Sequence, residues 1–367
     1  MKLDFLQKKL DERAEKGNLR SLRDSSHLMD FVSNDYLGLS RNCELADRIR
    51  KREIGENALN GGTGSRLLSG NHKYYIQAEA YLRDVFNAES VLIFNSGYAA
   101  NQAIVSSVAG KGDTILYDQL AHVCLKEGAW LSRAETVAFR HNDLHDLEAR
   151  LKRAQGNVFV LTETIFSMDG DVAPILEMVE LCEKYGAYLI VDEAHSTGVV
   201  GAGGSGLLMD LGVEDRIFAR VYTFGKGMGV HGACVAGSKT LTDYLVNFGR
   251  PFIYTTSLPP HSVIAIHESF KYLDENPPLQ DQLNIKINLF RSLWSDSLSE
   301  TAIQPVMIGD NQKARDISQQ LQKKGFDVRP ILSPTVQRGT ERLRISLHVH
   351  NSDEEIEKLV QEMIKLI

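Results

Sequence analysis

"NVFVLTETIFSMDGDVAPILEMVELCEKYGAYLIVDE", residues 157–193, decides the fold. VFVLTE is an apolar run, PILEMVELCEKYG has apolar positions at helical spacing, and AYLIVDE is a second apolar run closed by acids. Two runs of this kind joined by a helix read as neighbouring parallel strands buried on both faces. The rhythm extends in both directions. SVLIF precedes AANQAIVSSVAG, DTILYD precedes HVCLKEGAWLS, TVAFR precedes LHDLEARLKRA, and a strand-like run leads into VYTFGKGMGVHGACVAG at 221–237. This alternation from about residue 90 predicts an α/β fold: a large doubly wound, mostly parallel sheet with helices on both faces.

Past about residue 260 the pattern changes. HSVIAIHESFKYLDEN reads as a helix stopped at Pro277 and Pro278. AIQPVMIG, ARDISQQLQKKG, FDVRPIL and ERLRISL then predict a smaller C-terminal α/β domain, with a last helix opened by the capping box of Ser352 and Glu355. The expected division is an N-terminal helix and arm over 1–38, a large domain over 39–272 and a small domain over 273–367. In the arm, Leu3, Leu6 and Leu10 form one stripe of an amphipathic helix. No repeat, low-complexity tract or flexible linker interrupts the chain.

Composition narrows the function. The 367 residues are 43% hydrophobic, enough for one large core and a second smaller one. A formal charge of −7 with scattered Lys and Arg carries no footprint for nucleic acid. Cys43, Cys124, Cys182 and Cys234 lack C-x-x-C spacing, which argues against a disulfide framework or zinc site and suits a reducing compartment. Without a signal-peptide pattern or membrane span, the cytoplasm is the expected location.

In doubly wound sheets ligands collect at the carboxyl ends of strands. Those positions hold Asp192, Glu193 and His195 in LIVDEAHSTG, Thr223 and Lys226 in VYTFGKG, Glu163, Ser167 and Asp169 in LTETIFSMDGD, Gly97 opening a helix in LIFNSGYAAN, and His122 after DTILYD. A lone lysine in such a loop is ordinarily a solvated charge. Lys226 also fails the phosphate-loop pattern, because glycine follows it where serine or threonine is needed. GAGGSG at 201–206 matches G-x-G-x-x-G by letters without joining a strand to a helix, and reads as a plain loop. His348 and His350 share one side of the expected last strand with no third metal ligand in view; structural roles are the expectation, and no metal site is assigned. Asp192 is different. A carboxylate ending an apolar strand is buried and needs a charged or donating partner.

An amine, an acid and a helix-opening glycine on one sheet edge meet the needs of pyridoxal phosphate (PLP): a Schiff-base lysine, an acid for the pyridine nitrogen, and a helix N-terminus for the phosphate. The order Asp192 before Lys226 resembles the fold-type I PLP enzymes. FVSNDYLGLS, FNSGYAANQAI, ETIFSMDGDVAPI, VDEAHSTGVVG, TFGKGMGVHGACVAGS, FIYTTSLPP, IQPVMIGDN and PTVQRGTERLRISL resemble the α-oxoamine synthase family from about residue 19 onward.

The resemblance implies that Lys226 is the Schiff-base lysine and general base, Asp192 the partner of the pyridinium, His195 and Ser167 neighbours of the ring hydroxyl, and His122 the residue stacked on the ring. It implies phosphate contacts from Gly97 and Tyr98, from Thr223, and from Thr256 reaching across a homodimer interface. Asn34 and Arg344 match positions that hold the amino-acid carboxylate, and Arg20 a position near the acyl group. The implied partners are an amino acid and an acyl thioester, most closely L-alanine and a pimeloyl thioester on CoA or a carrier protein, condensed with loss of carbon dioxide on the way to biotin. Sister enzymes such as glycine C-acetyltransferase share nearly all the cofactor residues. A non-catalytic relative is disfavoured by retention of Lys226, Asp192 and His195 together. His348 replaces the small hydroxyl residue the family usually carries after the RLR strand, and GNHKYYIQAEAYL departs from the common pattern, so His72 is left unassigned.

Overall fold

The computed structural model describes residues 3–17 and 19–367; Met1, Lys2 and Asn18 of the expected N-terminal arm lie outside them. Seven strands form the large sheet in the order Ser90–Phe94, Ala233–Gly237, Ala219–Thr223, Tyr188–Asp192, Val158–Glu163, Thr114–Asp118 and Glu135–Phe139. All but one run the same way. Ala233–Gly237 is antiparallel to both neighbours, because the connection 224–232 that carries Lys226 is too short for a crossover helix.

Alternate side chains of each strand enter opposite cores. Phe159, Leu161, Ile190 and Val221 pack under the helices Gly97–Val108 and Val123–Leu131. Val158, Val160, Leu189 and Val191 face the other way, with Leu147 of Leu144–Leu151 and Met178 of Ile175–Tyr185. The expected doubly wound α/β architecture is therefore present. Ile190 has no exposed surface, and trimming it to alanine would cost about 2–5 kcal/mol.

The C-terminal part is a three-stranded antiparallel sheet, Arg329–Ile331, Arg342–Ser346 and Ile303–Met307, flanked by Asn311–Lys323 and Asp353–Leu366. The expected capping box opens Asp353–Leu366, with Ser352 and Glu355 each accepting from the other's backbone amide. FDVRPIL, expected as one strand, is split. Phe326–Asp327 pairs in parallel with Met29–Asp30 of the N-terminal arm, while Arg329–Ile331 is an edge strand, the place where Pro330 costs no ladder bond. The helix Pro260–Glu275 ends just before the expected prolines, and Pro278 opens a further helix, Pro278–Leu293.

The N-terminal helix spans Asp4–Glu15 and buries none of its residues. The stripe of Leu3, Leu6 and Leu10 is about half exposed. All four cysteines are free. No helix among the described residues is long and apolar enough to cross a membrane.

Candidate active site

The parallel strands deliver their carboxyl ends to one edge, and there a cavity of about 310 Å³ is lined by Val32, Asn34, His122, Ser167, Met168, His195, Lys226, Arg329, Ile331 and Arg344. Residues from the arm, the large sheet and the last strand thus meet around Lys226. Its amine lies 2.7 Å from His195 Nε2.

Asp192 ends its strand 4% exposed. One carboxylate oxygen accepts from the Ala194 amide at 2.9 Å and the other from Asn101 Nδ2 at 2.7 Å. Burial pushes the Asp192 carboxyl up and the Lys226 amine down, and each opposes the other's shift by its charge. Glu163 pairs in register with Asp192 across the strands. Burial and the Asp192 charge raise Glu163 to about 8, and Lys226 opposes the rise at both carboxyls.

His122 caps the helix Val123–Leu131, with Nδ1 accepting from the Cys124 amide at 3.3 Å. Its own amide donates to Glu163 Oε1 at 2.6 Å. These two contacts hold the imidazole at the cavity wall. Burial lowers its pKa, with Lys226 adding to the shift. His195 is 4% exposed, and burial with the charges of Lys226 and Arg344 keeps its ring neutral.

Gly97 opens its helix beneath the Ser96 cap. A Cβ at Gly97 would collide with Thr223 Oγ1, so glycine alone lets this helix N-terminus close on Thr223. The first amides of a helix lack intrahelical acceptors, and the corner they make with Thr223 can cradle an anion. Tyr98 points outward, 42% exposed, with its hydroxyl on Glu127. Thr256 is exposed, and its carbonyl accepts from Asn95 Nδ2 at 2.8 Å, beside the cradle.

Arg344 donates to the Ser167 carbonyl at 2.6 Å, to Ser346 Oγ at 2.9 Å and to Asn34 Oδ1 at 3.0 Å. Guanidinium carries five N–H groups, which leaves one on each terminal nitrogen for a ligand. Arg20 does not line the Lys226 cavity. It sits in an adjoining cleft of about 710 Å³ with Arg23, Arg315 and Arg329, and Arg329 borders both spaces.

Two residues escaped the sequence reading. Asn101 lies four positions after Gly97, on the same helix face, so a polar side chain in an apolar stretch at that register was a usable signal. Tyr36, from NDYLG, hydrogen-bonds His195 Nδ1 at 2.7 Å, and nothing in the sequence pattern marks it. Other features take structural places. In the GAGGSG loop a Cβ on Gly206 would meet the buried Glu193 carboxylate at 2.8 Å, and that carboxylate accepts from the Leu207 and Leu208 amides. His348 and His350 fall beyond the strand, which ends at Ser346, and stack ring on ring at 4.5 Å. Asp30 brings a third donor within 4.8 Å of them. Its carboxylate already accepts from Ser33 Oγ, the Val32 and Ser33 amides and Arg41.

Known proteins align with this arrangement over almost the whole chain. The profile of the aminotransferase class I and II family matches residues 26–363. The 8-amino-7-oxononanoate synthase of Methylobacillus flagellatus is 38% identical over 383 residues, spanning 99% of this chain and 96% of that protein. The serine palmitoyltransferase of S. paucimobilis with a bound PLP–myriocin aldimine superposes with a TM-score of 0.89 at 27% identity, covering 99% of this chain and 96% of that one. The 8-amino-7-oxononanoate synthase of Francisella tularensis does so at 0.78 and 28% identity, covering 93% and 98%. The chain belongs to the aminotransferase class I and II family, and within it to the α-oxoamine synthases of PLP fold-type I.

Proposed function

We propose that the chain is a PLP-dependent acyltransferase that condenses L-alanine with a pimeloyl thioester, releasing carbon dioxide and the thiol, to give 8-amino-7-oxononanoate for biotin synthesis. The observation that carries the reading is the convergence of a buried acid, Asp192, and Lys226 on one sheet edge, each acting on the other by its charge, beside a glycine-opened helix and a partly free Arg344. These residues fit PLP. Asp192 suits a protonated pyridine nitrogen, the cradle at Gly97 and Thr223 suits a phosphate, and Asn101 Oδ1 is buried beside them without a partner.

When bound, PLP supplies an aldehyde for a Schiff base with Lys226 and an electron-accepting ring that makes the alanine Cα proton removable. The rest falls to the chain. The lowered pKa of Lys226 suits it to take that proton as general base. His122 would cover the ring face, and His195 and Ser167 would flank its hydroxyl. The amides of Gly97 and Tyr98 and the Thr223 hydroxyl would hold the phosphate. Thr256 of a second subunit would complete that grip, which requires a homodimer. Arg344 and Asn34 would bind the alanine carboxylate. Because Arg329 borders both spaces, an acyl chain extending from the Lys226 cavity would reach the cleft of Arg20, where an arginine can pair with its terminal carboxylate.

The likeness to serine palmitoyltransferase favours one second reading, a sister synthase with another amino acid or acyl donor. Alanine, glycine and serine, each paired with pimeloyl, acetyl, succinyl and palmitoyl thioesters, separate the two by carbon dioxide release. The proposal expects the highest kcat/KM for alanine with the pimeloyl thioester, with some glycine turnover, since a methyl is worth only about 1–3 kcal/mol. Preference for glycine with a short acyl donor, or for serine with palmitoyl, would replace it with the sister reading.

A further inference from the structure

Lys226 is the end of a hydrogen-bond chain that begins at Arg344. Arg344 Nη2 donates to Asn34 Oδ1 at 3.0 Å, the Tyr36 hydroxyl lies 3.0 Å from the same oxygen and 2.7 Å from His195 Nδ1, and His195 Nε2 lies 2.7 Å from the Lys226 amine. The chain crosses three parts of the molecule: the last strand of the small sheet, the N-terminal arm, and two loops at the large sheet's edge.

Its direction follows from chemistry. Guanidinium only donates, so the Asn34 atom facing it is the carbonyl oxygen. The Tyr36 hydroxyl has a single proton, and Asn34 Oδ1 must be given it, because two acceptors cannot bond each other. Tyr36 Oη then accepts, which puts the His195 proton on Nδ1. Nε2 is left bare, as an acceptor aimed at Lys226. Burial raises the Tyr36 phenol to about 12, so it keeps its proton, and His195 stays neutral, so only one ring nitrogen carries hydrogen.

We propose that Tyr36 is a positioning residue that, through Asn34, transmits the donor polarity of Arg344 to His195 and fixes the Nδ1-protonated tautomer that accepts from Lys226. The bare Nε2 orients the amine, and the Tyr36 hydroxyl keeps the imidazole from reversing. Occupation of Arg344 by a carboxylate would thereby be felt at Lys226 through side chains that touch neither reacting carbon. The catalytic consequence rests on the functional reading above; the tautomer does not.

The test uses cofactor-free protein labelled with ¹⁵N-histidine, with the His195 signals assigned by comparison with His195→Gln, and two-bond ¹H–¹⁵N correlation reporting which nitrogen is protonated. The wild type is expected to show His195 protonated at Nδ1. Tyr36→Phe, which loses one oxygen and keeps the ring, should give the Nε2 tautomer or a mixture, while Asn34→Asp, which keeps both acceptor roles, should preserve Nδ1. In the cofactor-loaded enzyme Tyr36→Phe should lower kcat on the order of tenfold with a smaller change in the KM for alanine. If Tyr36→Phe does not fold, Asn34→Leu should release the tautomer in its place. An Nε2-protonated His195 in the wild type, or an unchanged tautomer in Tyr36→Phe, would overturn the proposal. Normal tautomers in a protein that binds no PLP would instead overturn the functional reading and leave this one standing.

Discussion

Asn101 Nδ2 donates to one carboxylate oxygen of Asp192 at 2.7 Å, from the first turns of the helix that Gly97 opens. The helix proposed to grip the phosphate therefore also aims the acid proposed to meet the pyridine nitrogen. A hydrogen bond to a charged group is worth about 1.5–3 kcal/mol, so Asn101→Ala should weaken PLP retention roughly 10–100-fold. Equilibrium titration of the cofactor-free variant with PLP reads this directly. Wild-type affinity would mean that the Ala194 amide alone suffices to orient Asp192.

The cradle makes a steric prediction. Gly97→Ala drives a methyl into Thr223 Oγ1 and should destabilise even the cofactor-free protein by about 1–3 kcal/mol. Thr223→Ala removes the colliding oxygen, so the double variant should be more stable than Gly97→Ala alone. Denaturant unfolding of the four proteins forms the cycle. Simple additivity would show that the helix shifts away at little cost.

His141 bridges Asp118 at 2.9 Å and Asp171 at 2.7 Å, tying the end of one strand to the loop that carries Ser167. Burial opposes its protonation, but hydrogen bonds and charge from both carboxylates win and raise it to about 9. A raised folded pKa means stability fully present below the ordinary histidine value near 6.5 and lost as pH rises through about 9. The melting temperature should fall over that window, and His141→Gln should be less stable at pH 6 with that part of the slope removed. An NMR titration of His141 with a midpoint near 6.5 would contradict the clamp.

Much of this site was legible in the sequence because its chemistry sits at strand ends, where a doubly wound sheet must bring it together. Lys226, Asp192, His195, His122 and Gly97 stand at the ends of four separate strands, so their convergence on one edge was legible without knowing a single contact. What stayed hidden depends on side chains meeting across long separations. Tyr36 reaches His195 from a loop of no regular period, and His141 finds Asp118 and Asp171 only after three strand-ends converge. The split of FDVRPIL is likewise set by Met29–Asp30, whose two-residue pairing leaves no local pattern. Arg20, placed near the acyl group by resemblance, lines the adjoining cleft, while Val32 and Asn34 of the same arm line the Lys226 cavity, a division that no local pattern marks.

Every role proposed for the site requires that Lys226 form the covalent bond to PLP. Loaded protein should be yellow, and borohydride reduction followed by peptide mapping should place the fixed cofactor on Lys226, while Lys226→Ala should lose multiple turnover by roughly a hundredfold or more. Labelling of another lysine, or a Lys226→Ala variant that turns over like the wild type, would contradict the account.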